Sequence, residues 1–326
     1  MSRPLLALGL GVVVLAGTVV GCAGDSEPAA EPPPRTVTET VTVEVSPPVP
    51  ATPQAFPAYE PPDGEAYTNG KRLAGRVAQR LTTFTAGATA RDLARSVGAD
   101  GEAQFAPLVE PTRRSAGEVL YVQLAGVTAT TLGTIVVVRQ HLEDGDGNRD
   151  AVVRAMDIRL RRTDGGWSLD RVGSVGGTPV PRPATLPPGA ARVVDHPRIE
   201  LPDSARWDIY RGLVDDALLR ALAEAADRWP LSVTTLKTGH ARRVWATERV
   251  SAHAAGLAAD LYAVGGTLVV HQQNLGSDAH RLVGAFLAGG ARQVGSPWIL
   301  PPGGPRSFTD RVHEDHVHLQ QSPPAR

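Results

Sequence analysis

The sequence predicts an α+β protein with two folded domains, and three features of the chain carry that prediction. Apolar residues recur at helical spacing in 71–84, and strand-like runs separated by Gly- and Asp-rich turns follow. A Pro-rich stretch at 178–190 then interrupts the pattern, and helix-like and strand-like runs alternate after it. A chain of 326 residues is long enough for two domains of ordinary size.

Composition excludes some functions. The formal net charge is −1, and no dense run of Lys or Arg occurs, so the chain lacks the electrostatic signature of a nucleic-acid-binding protein. Cys22 is the only cysteine, which rules out an intrachain disulfide and a cysteine-based metal site.

The N-terminus has the pattern of an export signal. Arg3 precedes an apolar run over 5–20, which is shorter than the roughly 20 residues that a spanning helix needs. The run ends in Val-Val-Gly-Cys at 19–22, which resembles the lipobox of bacterial lipoproteins. The resemblance implies cleavage of 1–21, a lipid on Cys22, and an extracytoplasmic protein anchored to the cell membrane. An uncleaved signal anchor with an incidental cysteine is the alternative.

The next two segments are a predicted tether and a predicted small domain. Residues 23–62 hold eleven of the 28 prolines, so we predict that 22–64 is a disordered tether. Residues 65–177 are predicted as a helix followed by an antiparallel meander, similar in layout to the cone-shaped domains of nuclear-transport-factor-like proteins. The predicted elements are a helix at 71–84 and strands at 119–124, 134–140, 151–160 and 166–172.

A linker at 178–190 leads to the second domain, predicted over 191–326. Its apolar spacing predicts one long helix at 208–229 and another at 278–287. Strands are predicted at 231–236, 257–264, 267–272, 291–295 and 316–320, with a Gly-Gly hairpin turn at 265–266.

The C-terminal domain contains the residues with the clearest chemical meaning. His253 and Asp260 are seven residues apart, an odd offset that would place them on opposite faces of one strand, so we expect a turn at Gly256. His316 and His318 would share a face of the last strand. A carboxylate inside an apolar strand is costly unless it is paired or binds a metal. Two imidazoles and one carboxylate are typical of an open, catalytic zinc site.

The segment 251–260 reads Ser-x-His-x-x-Gly-x-Ala-x-Asp, and His-x-His follows at 316–318. Together they resemble the D-Ala-D-Ala metallopeptidases, whose relatives include phage L-alanyl-D-glutamate endopeptidases and the Hedgehog signalling domain. The resemblance covers about 205–320. It implies zinc held by His253, Asp260 and His318, a catalytic carboxylate at Asp315, and stabilisation of the transition state by His316. By strand parity Glu314 is the alternative base.

The family also has a Ser-Gly-Tyr-Arg-like segment whose Arg binds substrate, and the matching stretch here is Thr-Gly-His-Ala-Arg-Arg at 238–243. Arg242, Arg243 and the motif residue Ser251 are therefore the candidate substrate-binding residues. The resemblance implies a membrane-anchored zinc peptidase, either a carboxypeptidase or an endopeptidase, that hydrolyses the peptide stems of peptidoglycan. A zinc-stabilised binding module and an envelope scaffold that recruits a partner through its first domain are the alternatives.

Overall fold

The computed structural model describes residues 55–301 and 304–323, and over these the fold is α+β, as predicted. The predicted signal peptide 1–21 and the lipidation site Cys22 lie outside the described residues. Among the described residues, none of the helices has the length and apolar composition of a membrane span. The helices are α1 (Thr68–Leu81), α2 (Ala90–Val97), α3 (Pro188–Val194), α4 (Asp203–Tyr210), α5 (Asp216–Ala226) and α6 (Asp278–Ala288).

The first sheet of the described chain is a four-stranded antiparallel meander in the order β1-β2-β3-β4. Each strand is longer than its predicted run, because pairing with the neighbouring strand continues beyond it. The strands are β1 (Arg114–Val127), β2 (Thr131–Glu143), β3 (Arg149–Thr163) and β4 (Gly166–Ser174).

The second sheet is mixed, with the path β10-β9-β11-β7-β6-β5 and β8 paired to β7. Its central strand β7 pairs antiparallel with both β11 and β6. Short turns of 3-10 helix occur at Glu102–Leu108, His253–Ala255, Val269–His271 and Gly304–Arg306. The strands are β5 (Ile199–Glu200), β6 (Leu231–Thr235), β7 (Ala258–Val264), β8 (Thr267–Leu268), β9 (Gln293–Gly295), β10 (Ser307–Phe308) and β11 (Val317–Gln320).

The two sheets lie face to face, with helices on the outer face of each. Alternate residues of β1 explain this: Val122 packs with α1 and α2 in one core, whereas Tyr121 points the other way and stacks on Tyr262 of β7. The opposite face of β7, with Leu261, packs against α5 and α6 in a separate core. Each sheet thus has its own core, yet the described residues all fall in one compact unit. The division at 178–190 stays a prediction.

Several local features differ from the predictions. The strand expected at 267–272 is only the two-residue β8, because the chain then turns into the 3-10 helix Val269–His271. The long helix expected at 208–229 is two helices, because Gly212 adopts a left-handed φ of +66° and the side chain of Asp215 caps a new helix by accepting from Ala217 N. Residues 90–97, which belong to none of the predicted elements, form α2, which begins with a capping box. Among the last ten residues of the predicted tether, which are mostly exposed, Tyr59 is buried in the core between α1 and the first sheet and Phe56 stacks on His141 of β2.

Candidate metal centre

His253 and Asp260 are brought together by a tight turn between them. His253 begins the 3-10 turn His253–Ala255, and Gly256 follows with a φ of +73°, which favours glycine. A Cβ atom on Gly256 would lie 2.0 Å from the carbonyl oxygen of Leu213, so no larger residue fits here. The chain then enters β7, where Asp260 faces the first sheet. The turn predicted at Gly256 is confirmed.

The third residue comes from the neighbouring strand. Asp260 and His318 are register partners in the antiparallel β7–β11 pair. Their facing atoms, Asp260 Oδ1 and His318 Nδ1, are 2.9 Å apart. His253 Nε2 lies 3.1 Å from the same carboxylate oxygen and 3.2 Å from His318 Nδ1. These separations are slightly shorter than the edges, about 3.3–3.4 Å, of a tetrahedron with bonds of about 2.0–2.1 Å, the length of Zn–N and Zn–O bonds, so a small outward shift of the three groups would accommodate the ion.

The surroundings orient the ring of His253 and hold His318 and Asp260 in the forms that bind metal. His253 Nδ1 donates to the carbonyl oxygen of Leu236 at 2.7 Å, so its Nε2 lone pair faces the site. Burial lowers the pKa of His318 to about 4, which keeps its ring neutral. Burial also acts to raise the pKa of Asp260, but the imidazoles of His253 and His316 outweigh it and hold that pKa well below its ordinary value.

His240 is a further potential ligand, since His240, His253 and Asp260 form a group that could hold a metal ion. The His240 ring stacks on the His253 ring with 4.0 Å between centroids, and its Nδ1 is 2.9 Å from the carbonyl oxygen of Ala241. The donor atoms of this group lie within 4.8 Å of one another. In the set that contains His318, each pair of donor atoms is 2.9–3.2 Å apart, so we expect His318 as the third ligand, with His240 as the alternative.

The structure separates the predicted roles of Asp315 and His316. His316 lines the cavity at the site, and its Nε2 lies 3.8 Å from Asp260 Oδ1. Asp315 lies behind it, with its side chain only 3% exposed, and Asp315 Oδ1 accepts from His316 Nδ1 at 2.7 Å. Asp315 does not line the cavity. The alternative base Glu314 is exposed and does not line it either.

The predicted substrate-binding residues are only partly at the site. Ser251 lines the cavity, but it is buried and its hydroxyl accepts from His253 N at 3.3 Å, so it supports the turn. Arg242 and Arg243 are exposed and do not line the cavity, and Arg243 instead pairs with Glu248. The reason is local: the pair sits on a solvent-facing hairpin closed by the Arg243–Val250 bridge.

The site opens into a cavity of about 1050 Å³ with walls from both sheets. Residues 124–127 of β1 form one wall, and Trp245 closes over the paired glycines Gly126 and Gly133 of the first sheet. The Trp245 Nε1 group donates to Thr131 Oγ1 at 3.3 Å.

Sequence reasoning missed an Asp–His pair on this cavity. His313 Nδ1 is 2.7 Å from Asp310 Oδ1, and both residues line the cavity. The His313 ring lies 5.0 Å from the His316 ring between centroids. The spacing of three histidines at 313, 316 and 318 was the available signal, because it brings a third imidazole to the same end of β11.

Comparisons with protein-family models, with curated proteins and with solved structures found no match to this chain.

Proposed function

We propose that the protein is a zinc-dependent peptidase. The single observation that carries the proposal is the group formed by His253, Asp260 and His318, whose donor atoms lie 2.9–3.2 Å apart beside a large cavity. Three protein ligands next to an accessible space are typical of catalytic zinc sites, which keep one position for water or substrate. The nitrogen and oxygen donor set suits zinc.

When bound, zinc would act as a Lewis acid and make water nucleophilic near neutral pH. The chain's own contribution is a proton acceptor at the right place. Burial acts to lower the pKa of His316, but Asp260 and Asp315 outweigh it and raise that pKa above its ordinary value. His316 Nε2 faces the metal site, so it can take a proton from the attacking water and pass it to the leaving amine. Asp315 holds the opposite nitrogen of the ring and acts through His316.

The proposed substrates are the peptide stems of peptidoglycan. Two features of the sequence support this: the motif at 251–260, which resembles wall-directed peptidases, and the lipobox-like segment ending at Cys22. A cavity of about 1050 Å³ lies at the upper end of the range for small-molecule pockets, which suits a segment of peptide. In this proposal the second sheet with α3–α6 is the Hedgehog-like and D-Ala-D-Ala-peptidase-like domain, and 65–177 is the cone-like one. The lipid on Cys22 would anchor both domains to the outer face of the cell membrane.

A zinc-stabilised binding module is the second candidate, and one observation favours it. Asp315, at the position of the family's catalytic carboxylate, has both oxygens occupied: Oδ1 by His316, and Oδ2 by Lys71 Nζ and Leu124 N. A carboxylate held in this way is not free to contact water in the cavity. If His316 does not replace it as the base, the site would bind a wall peptide without cutting it.

The test is a digest of purified muropeptides with the full-length, zinc-loaded protein in detergent, followed by mass spectrometry. New fragments are expected, and their masses identify the bond that is cut. The control is His253→Ala, which removes a ligand, and its digest should contain none of these fragments.

Full zinc occupancy in the wild-type protein, with no new fragments over the range of muropeptides, would contradict the peptidase proposal and favour the binding module. Fragments produced equally by wild type and His253→Ala would trace to a contaminant.

A further inference from the structure

Lys71 is a fully buried cation beside the candidate site, although it belongs to helix α1 of the N-terminal half. Its side chain is 0% exposed, and its Nζ lies 2.5 Å from Asp315 Oδ2 and also contacts Glu65 Oε2. A buried lysine is tolerated as a cation only when it is paired, because desolvating the charge is expensive. The pair joins residues 244 positions apart in the sequence. Helix α1 therefore reaches the residue that orients His316.

Asp315 connects this cation to the metal centre. One oxygen, Oδ2, accepts from Lys71 Nζ and from the backbone N–H of Leu124 at 2.9 Å, and the other accepts from His316 Nδ1. Burial acts to raise the pKa of Asp315, but the charge of Lys71 and the contact with His316 outweigh it and lower that pKa. The carboxylate thus stays ionised and fixed, and a fixed carboxylate holds the His316 ring in one orientation.

The far side of Lys71 is equally enclosed. Tyr121 of β1 donates to Glu65 Oε1 at 2.6 Å, and its ring centroid lies 5.3 Å from Lys71 Nζ, within the range of a cation–π contact. The side chain of Glu65 is 0% exposed. Lys71 is thus held between two carboxylates and an aromatic face, so it has little freedom to leave Asp315.

A second residue on the same face of β1 contacts the metal ligand Asp260. Gln123, two residues after Tyr121, donates from Nε2 to Asp260 Oδ2 at 2.8 Å, which leaves Asp260 Oδ1 for the metal. The N-terminal half therefore makes two independent supports, one to a ligand and one to the partner of His316. A domain that only recruits a partner needs neither.

We propose that Lys71 is a positioning residue for the reaction at the metal centre, acting through Asp315 to hold the His316 ring, so that the N-terminal half is part of the site. This inference rests on the proposed function. In this proposal, residues 65–177 complete the candidate metal site and are not a separate domain that only recruits a partner.

The experiment compares Lys71→Met with Arg72→Met in the full-length, zinc-loaded protein. Arg72 is the matched control because it is the next residue of α1, and its ion pair with Glu60 is at the surface, with 29% and 64% side-chain exposure. For Lys71→Met we expect one zinc per chain, a KM close to the wild-type value, and a kcat about 10–100-fold lower, the usual effect of losing such a support. Arg72→Met should match the wild type in all three.

A second readout does not depend on hydrolysis. Long-range ¹H–¹⁵N NMR of the histidine rings should show His316 of the wild type with a protonated Nδ1, and Lys71→Met should change those signals while Arg72→Met leaves them alone. If Lys71→Met does not fold, the double variant Lys71→Met with Glu65→Gln removes one charge of each sign and is used instead.

The possible results separate the two proposals. Unchanged kcat and unchanged His316 signals in the Lys71 variant, or a wild-type His316 protonated at Nε2 only, would overturn the positioning role. Shifted His316 signals in a protein that cleaves no muropeptide would support the orientation of the His316 ring by Lys71 through Asp315 and contradict the peptidase proposal.

Discussion

The substitution Gly256→Ala should destabilise the protein and weaken metal binding together. A left-handed φ of +73° costs a non-glycine residue about 1–2 kcal/mol. The new Cβ would also lie 2.0 Å from the carbonyl oxygen of Leu213, a backbone atom that cannot rotate away, and such overpacking typically costs about 1–3 kcal/mol. The sum is about 2–5 kcal/mol. Because this turn holds His253 next to Asp260, relief of the clash moves the ligands apart.

Gly266→Ala is the matched control. Gly266 has almost the same φ, +75°, but a Cβ there meets nothing within 4 Å, and it lies beyond the far end of β7. It therefore carries the backbone cost without the clash. After the metal is removed with a chelator, urea denaturation is followed by circular dichroism. The free energy of unfolding of Gly256→Ala should be about 1–3 kcal/mol lower than that of Gly266→Ala. Zinc titration should show weaker binding only for Gly256→Ala. Equal midpoints and equal zinc affinities would refute the reasoning.

Two further predictions concern the cavity. Gly126→Ala would place a Cβ 2.1 Å from the Trp245 ring, so we expect the free energy of unfolding to fall by about 1–3 kcal/mol and the tryptophan fluorescence to change. A Cβ on Gly145 meets nothing within 4 Å, so Gly145→Ala should be close to neutral. Equal effects of the two substitutions would contradict the packing of Trp245 on the first sheet. Burial acts to raise the pKa of Asp310, but the hydrogen bond and charge of His313 outweigh it and lower that pKa from 3.8 to about 2. A depressed carboxylate pKa stabilises the fold above about pH 4, and this contribution is lost as the pH falls towards 2. Thermal melts of the metal-free proteins should therefore give Asp310→Asn a lower melting temperature than the wild type at pH 6, and this difference should shrink below pH 4. A difference that does not depend on pH would contradict the pairing of Asp310 with His313.

The fold was predictable where a pattern is local. Period-two and helical spacing located all four strands of the first sheet and helix α1 to within a few residues. The single helix expected at 208–229 shows the limit: its apolar spacing continues through the break, and only Gly212 and the cap at Asp215 mark the two ends. The capping box at Thr89 and Asp92 was a readable signal for α2, but the surrounding loop-like composition concealed it.

The candidate site was also predictable only in part. The spacing from His253 to Asp260 and the pair at 316 and 318 identified the groups that the structure brings together, because one turn and one strand pairing suffice to join them. Residues that act across the two sheets could not be found, since no sequence spacing relates Lys71 to Asp315 or Gln123 to Asp260. These contacts follow from the packing of β1 on β7, which a local pattern does not encode.

The most direct test of the metal centre is zinc titration of the purified full-length protein and two of its variants, His318→Ala and His240→Ala. We predict one tightly bound zinc in the wild type, loss of tight binding in His318→Ala, and retained binding in His240→Ala, because the His318 donor atom lies within 3.2 Å of both other ligand atoms. Tight binding that survives in His318→Ala and disappears in His240→Ala would contradict the assignment and make His240 the third ligand.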